Sequence, residues 1–257
     1  MDVIAKKVKA LMALPVLQTA ADQLRREGNV FFVGGHLSPQ QAVEAIFESD
    51  CRSPVELFVF NFAKAEDFTR AEVLVRSIKR NFKGFLVGQF ISQPPPPLLE
   101  YAYAAGIDFI DVPFIGDKDQ RLVALLFAKT VFPRWAVIST LFAGEQPLSA
   151  ARADIDLLLD HDILPLVAID ESAVCYRDSE ITQIFEYLAS GWRRKKAFVK
   201  PLHPLLRLIT PLAPPPRKGG VPGLFDKVNG ARLRTTSDLR RLLRVREVEE
   251  SFESAGL

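Results

Sequence analysis

The chain predicts an α/β fold: a (β/α)6 partial TIM-like barrel with an N-terminal helical segment and a basic Pro-rich C-terminal extension. Three observations carry that expectation. Short apolar segments alternate with helical patterns from Asn29 to Ala189, the rhythm of right-handed crossovers in a parallel sheet. No Gly-x-Gly-x-x-Gly follows the first strand, as a dinucleotide-binding sheet would require. Polar residues collect at the ends of the predicted strands, the functional edge of a barrel. Spacing alone leaves an open doubly wound sheet as the alternative.

The elements follow in order. Asp2 to Glu27 places Ile4, Val8, Leu11, Met12, Val16 and Leu24 at helical spacing. Pro15 divides it into one or two helices. Asn29–Gly34 is a short apolar strand, Gly34-Gly35-His36 its turn, and Ser38-Pro39 a cap and first turn of a helix to about Ser49. Pro54 precedes the strand VELFVFNF, and a helix after Asp67 buries Phe68, Ala71, Val75 and Ile78. FLVGQFIS from Phe85 is the third strand. Pro94–Pro97 forms a stiff extended loop over the barrel mouth, and LLEYAYAA a helix closed by Gly106. IDFIDVPF is the fourth strand, and Asp117 caps a helix through Thr130. WAVISTLF, a helix from about Ser149 to Asp160, LPLVAI and a helix from Ser179 to about Ala189 complete six units. The predicted division is 1–27, 28–190 and 191–257, the last closing with a helix over Ser237–Glu253.

With 257 residues, 48% of them hydrophobic, the chain is long enough to bury a sizeable core. Its charge is uneven. Residues 191–257 hold 15 of the 33 Lys and Arg but only 6 of the 31 Asp and Glu. That asymmetry points to an anionic partner for the tail. Cys51 and Cys175 are too few for a four-ligand zinc or iron–sulfur site and read as buried free thiols in a reducing compartment. Met1–Lys7 has no apolar core directly behind its basic residues, and no run reaches the ~18 apolar residues of a membrane span. The expected localisation is cytoplasmic, with a peripheral position at the inner membrane face as the alternative.

The strand ends offer His36, Asn61 and Lys64, Gln89 and Ser92, Asp111, Ser139 and Thr140, then Asp170 and Glu171. His36 follows two glycines that let a ligand approach the backbone, and its type suits acid–base work near neutral pH. With Asp111 and Asp170 it forms the candidate catalytic set, which would also offer a metal one nitrogen and several oxygens. Asn61, Gln89, Ser139 and Glu171 are the candidate substrate-binding groups. Lys64 stands past its strand, where a solvated lysine is favoured over a Schiff-base lysine. The alternative for the whole ring is that strand ends are polar because they face water.

Two segments carry a family likeness. GFLVGQFISQPPPPLLEYAYAAGIDFIDVPF and RWAVISTLFAGEQPLSAARADIDLLLDHDILPLVAI resemble strand, glycine-rich loop and helix units of the radical-SAM superfamily, especially its biotin-synthase-like members. The likeness covers about Phe85 to Asp170. It implies a six-unit partial barrel and an iron–sulfur cluster on a Cys-x3-Cys-x2-Cys loop after the first strand. Here that loop reads GGHLSPQQAVEAIF, without cysteine, and thiolates are what anchor such a cluster. No iron–sulfur cluster is therefore expected. An S-adenosylmethionine-binding remnant at Ala143-Gly144-Glu145 competes with a plain turn.

The tail opens with Trp192 beside Arg193, Arg194, Lys195 and Lys196, followed by leucines up to Pro211. Tryptophan and basic residues suit an anionic membrane surface or a protein partner, while a tail packed on the body is the alternative. Nucleic acid is the weakest partner, since the body is acidic. The expected function is that of a cluster-less binding or accessory protein, with a small-molecule ligand in the barrel mouth and a tail docked on a partner enzyme or membrane. The alternative is a lyase or aldolase-like enzyme of small metabolites using His36, Asp111 and Asp170.

Overall fold

A computed structural model describes residues 22–51, 53–169 and 175–210. Its sheet has seven strands in the order β1-β2-β3-β4-β5-β6-β7. The first is β1 (Leu24–Glu27), followed by β2 (Val30–Val33) and α1 (Pro39–Asp50). Next come β3 (Leu57–Phe62), α2 (Ala65–Asn81), β4 (Phe85–Phe90) and α3 (Pro96–Ala105). The chain continues through β5 (Phe109–Asp111), α4 (Lys118–Val131), β6 (Val137–Phe142) and α5 (Leu148–Asp160). It then forms β7 (Leu164–Ala168), α6 (Asp178–Lys195) and, after a 3-10 turn at Lys200–Leu202, α7 (His203–Ile209). The six strands expected from the apolar runs are β2 to β7, which run parallel to one another. Their order never reverses, so the sheet lacks the switch point of the doubly wound orders.

β1 corrects the N-terminal reading. Leu24, placed on a helical face by its spacing, lies in a strand antiparallel to β2, opposite Val33. The cause is a two-residue turn at Gly28-Asn29, with Gly28 in the left-handed region at φ 59°, where glycine has no steric penalty. Gly-Asn is a hairpin dipeptide, but the charged LRRE before it lacks the apolar pattern of a strand. Residues 1–21 and the helix expected over Ser237–Glu253 lie outside the described residues.

Three other elements depart from expectation. The proline run is half helical: Pro95 precedes α3, and Pro96 and Pro97 form its first turn, where a missing N–H costs nothing. α6 passes the predicted end at Ala189 and the boundary at 190. It is held there by Trp192, whose Nε1 donates to the Pro165 carbonyl at 3.1 Å. Gly191 lets α6 lie close against α5, since a Cβ there would meet Leu159 Cδ1 at 2.6 Å. Cys51 and Cys175 are free but exposed, not buried. Asp117 behaves as expected, its carboxylate accepting from Gln120 N at 3.1 Å.

Register sorts the strand residues into two faces, because side chains alternate along a strand. On one face Phe60, Gly88, Ile110 and Val137 form a row, and Phe62 meets Phe68 of α2 with ring centroids 5.4 Å apart. On the other face lie Phe32, Val59, Val87 and Phe109. One step further along comes the row Asn61, Gln89, Asp111. Apolar residues of both faces are buried. At the opposite strand ends, Lys79 Nζ of α2 grips both oxygens of buried Asp108 at 2.8 and 2.9 Å, and Asp108 Oδ2 also accepts from Leu86 N at 3.0 Å.

Candidate functional site

The sequence-predicted residues that the structure joins stand at the carboxyl ends of β3 to β6. Asn61, Gln89 and Asp111 face one another in register on adjacent strands. Asp111 Oδ2 accepts from Gln89 Nε2 at 2.7 Å and from Thr140 Oγ1 at 2.7 Å, and Oδ1 accepts from Thr140 N at 3.0 Å. The carboxylate thus ties β4 to β6 across β5. Asp111 is 4% exposed. Burial pushes its carboxyl above the ordinary aspartate value, against the opposing pull of the Thr140 and Gln89 donors, because an apolar surrounding penalises the charged form. Among the described residues no cation is a hydrogen-bond donor to it.

Gln89 is half-buried. Its Nε2 is committed to the carboxylate, which directs its amide oxygen away from Asp111. An amide held by one end is a reading group: its free end has a defined acceptor direction. Asn61 is also half-buried. The pair forms a polar ledge beside a buried acid.

Ser139 is not part of that ledge. It is one residue from Thr140 and therefore on the other face, where its Oγ donates to the Val112 carbonyl at 2.8 Å. For this predicted substrate-binding residue the structure shows a buried hydroxyl that donates to a backbone carbonyl on the face away from Asp111. His36 is exposed on the β2–α1 loop, with Nε2 3.7 Å from Asp67 Oδ1. Asp67 also accepts from Lys64 N at 2.8 Å. Among the described residues no hydrogen bond or ion pair links His36 to Asp111, two members of the predicted catalytic set with Asp170. Lys64 is exposed and Ser92 half-buried. Asp170 and Glu171 lie outside the described residues. Among the described residues no group of three or more His, Cys, Asp or Glu is placed to hold a metal ion.

A second polar cluster escaped the sequence reading. Lys118 Nζ bonds Gln146 Oε1 at 2.6 Å and Asp154 Oδ2 at 2.7 Å. Tyr176 Oη donates to the Gln146 carbonyl at 2.6 Å, and burial pushes the Tyr176 hydroxyl above its ordinary value. These residues come from the start of α4, the loops after β6 and β7, and α5. They pin the Ala143–Gln146 turn from two sides, while Ala143 N donates to the Ala168 carbonyl at 2.9 Å. The available signal was Asp154 itself, an acid in the buried stripe of Ala151, Ile155 and Leu158. A carboxylate so placed requires a donor.

The predicted docking cluster also changes. Trp192 is buried against β7, so its indole is not presented to a head group. Arg194 bonds Asp156 at 2.6 Å and Lys195 bonds Asp160 at 2.8 Å, leaving exposed Arg193 and Lys196 as the outward cations of the four. No described helix is long and apolar enough to cross a membrane.

The fold and site define an α/β protein with a largely parallel sheet and a polar row at its strand ends. No family model, curated protein or solved structure matches the chain, so the radical-SAM likeness rests on the quoted segments alone.

Proposed function

We propose that this is a binding protein that holds a small polar ligand at the strand ends and acts as an accessory to a partner enzyme. Its sheet curls into a partial barrel without a cluster. Sequential strand order and burial of both sheet faces favour the curl. One observation carries the reading: the row Asn61–Gln89–Asp111, with Thr140 behind it, at the edge where strand–helix folds hold ligands. Gln89 and Asn61 read the ligand, Asp111 and Thr140 position Gln89, and Arg193 and Lys196 meet an anionic surface of the partner or of a membrane. The lyase alternative takes second place because His36 turns toward Asp67.

Native mass spectrometry with metal analysis, on protein purified anaerobically from its own host, tests this. A small molecule at near-unit occupancy in the wild type, lost in Gln89→Leu, is the expected result. A chain without such a molecule, or one that turns over a candidate substrate unaided, would overturn it.

A further inference from the structure

Between α5 and α6 runs an open groove of about 540 Å3 lined by Arg152, Gln183, Glu186, Tyr187, Ser190 and Arg193 among others. That size falls in the range of metabolite sites. The groove lies on the helical layer and is independent of the strand-end reading. Its charges are unusually placed. The two acids of α5 that face α6, Asp156 and Asp160, are already engaged by Arg194 and Lys195, and Asp156 also accepts from Tyr187 Oη. Two cations are left over, and both line the groove. Arg193 has no acid within ion-pair distance among the described residues. Arg152 gives Nη2 to Gln183 Oε1 at 2.9 Å and rests its guanidinium over the Tyr187 ring at 5.3 Å. Its Nε is buried with no hydrogen-bond partner. A buried charged donor left unmade is costly, and a guanidinium fixed on a ring is already oriented for a planar or tetrahedral oxyanion. Glu186 opposes these charges, so Arg152, Arg193 and Glu186 leave one net positive charge.

We propose that this groove is an oxyanion subsite, taking a singly charged phosphate ester or carboxylate between the Arg152 guanidinium and Arg193, with the Ser190 hydroxyl as a further donor. The phosphate could belong to a soluble metabolite or to a lipid head group.

Calorimetric titration with inorganic phosphate, at ionic strength held constant with chloride, tests the subsite. Saturable binding by the wild type is expected. Arg193→Gln and Arg152→Gln should each weaken it about tenfold, the scale of one charge-assisted hydrogen bond. Glu186→Gln should tighten it. Arg76→Gln, which breaks an exposed ion pair with Glu72 on α2 away from the groove, should leave it unchanged. Arg193 is exposed, so its variant stays folded even where Arg152→Gln does not, and far-ultraviolet circular dichroism checks both. Absent wild-type binding, or equal affinity in wild type and Arg193→Gln, overturns the proposal. Sedimentation with phosphatidylglycerol vesicles then identifies the source. Co-sedimentation that Arg193→Gln and free phosphate both reduce supports a lipid head group. Phosphate binding without co-sedimentation supports a soluble ligand.

Discussion

Asp108 and Asp111 lie three residues apart, at the two ends of β5, and are both nearly inaccessible, at 3% and 4% exposure. Their surroundings differ. Asp108 holds a lysine ammonium on both oxygens, whereas the donors to Asp111 are an amide, a hydroxyl and a backbone N–H. The first is a charge pair that clamps α2 to the amino ends of β4 and β5. The second is an acid whose charge is only partly compensated, at the carboxyl ends where loops converge. Buried charge serves stability where a countercharge meets it, and becomes available for recognition where only neutral dipoles do.

The largest effect should come from breaking the clamp. Lys79→Met leaves Asp108 buried without its cation and should cost about 3 kcal/mol of stability in urea denaturation. A cost below about 1 kcal/mol would remove Asp108 from the structural side of the comparison. Asp111→Ala should cost less, about 2 kcal/mol, because it strands the donors of Thr140 and Gln89 without leaving a charge. Equal or greater loss than Lys79→Met would reverse the ranking.

The pH dependence sharpens the contrast. Burial raises the Asp111 value in the folded state, so the native chain keeps that proton to higher pH than the unfolded one. Its contribution is greatest below the unfolded carboxylate value, about 3.9, and is lost as pH rises through the raised value. Asp111→Asn removes this term. The stability of wild type minus that of Asp111→Asn should therefore fall as pH climbs across this window, then level off. A difference that rises with pH would mean that the donors outweigh burial. The smallest stability effect belongs to Gln89→Leu, about 1 kcal/mol, the net worth of one hydrogen bond to an acceptor that keeps Thr140 as a donor. Its readout is ligand retention. A stability loss of several kcal/mol would make Gln89 a structural strut like Lys79.

The six parallel strands were legible because each is a continuous apolar run between turn residues, as a strand buried on both faces must be. Asn61, Gln89 and Asp111 were legible as strand-end polar residues interrupting such runs. Ser139 was not separable from Thr140, since both stand near the end of one apolar run. Only the register, which places Asp111 against Ile138, decides which neighbour joins the ledge. Trp192 was misread for a related reason. Tryptophan beside four basic residues has the same composition whether it packs on a sheet or lies at a head group.

The sequence by itself determined the alternation of strands and helices, the cap at Asp117 and the lack of a three-cysteine loop. These depend on neighbours within a turn or two of chain, where spacing and residue type suffice. The tertiary structure decided the Lys79–Asp108 clamp, the Lys118–Gln146–Asp154 cluster, the burial of Trp192 and the pairing of α5 acids with α6 cations. Each joins groups roughly 27 to 38 residues apart, apart from the bond between Gln146 and Asp154 within one loop–helix unit. Such contacts form only when crossovers bring adjacent units side by side, and no local pattern encodes which polar group will then meet which.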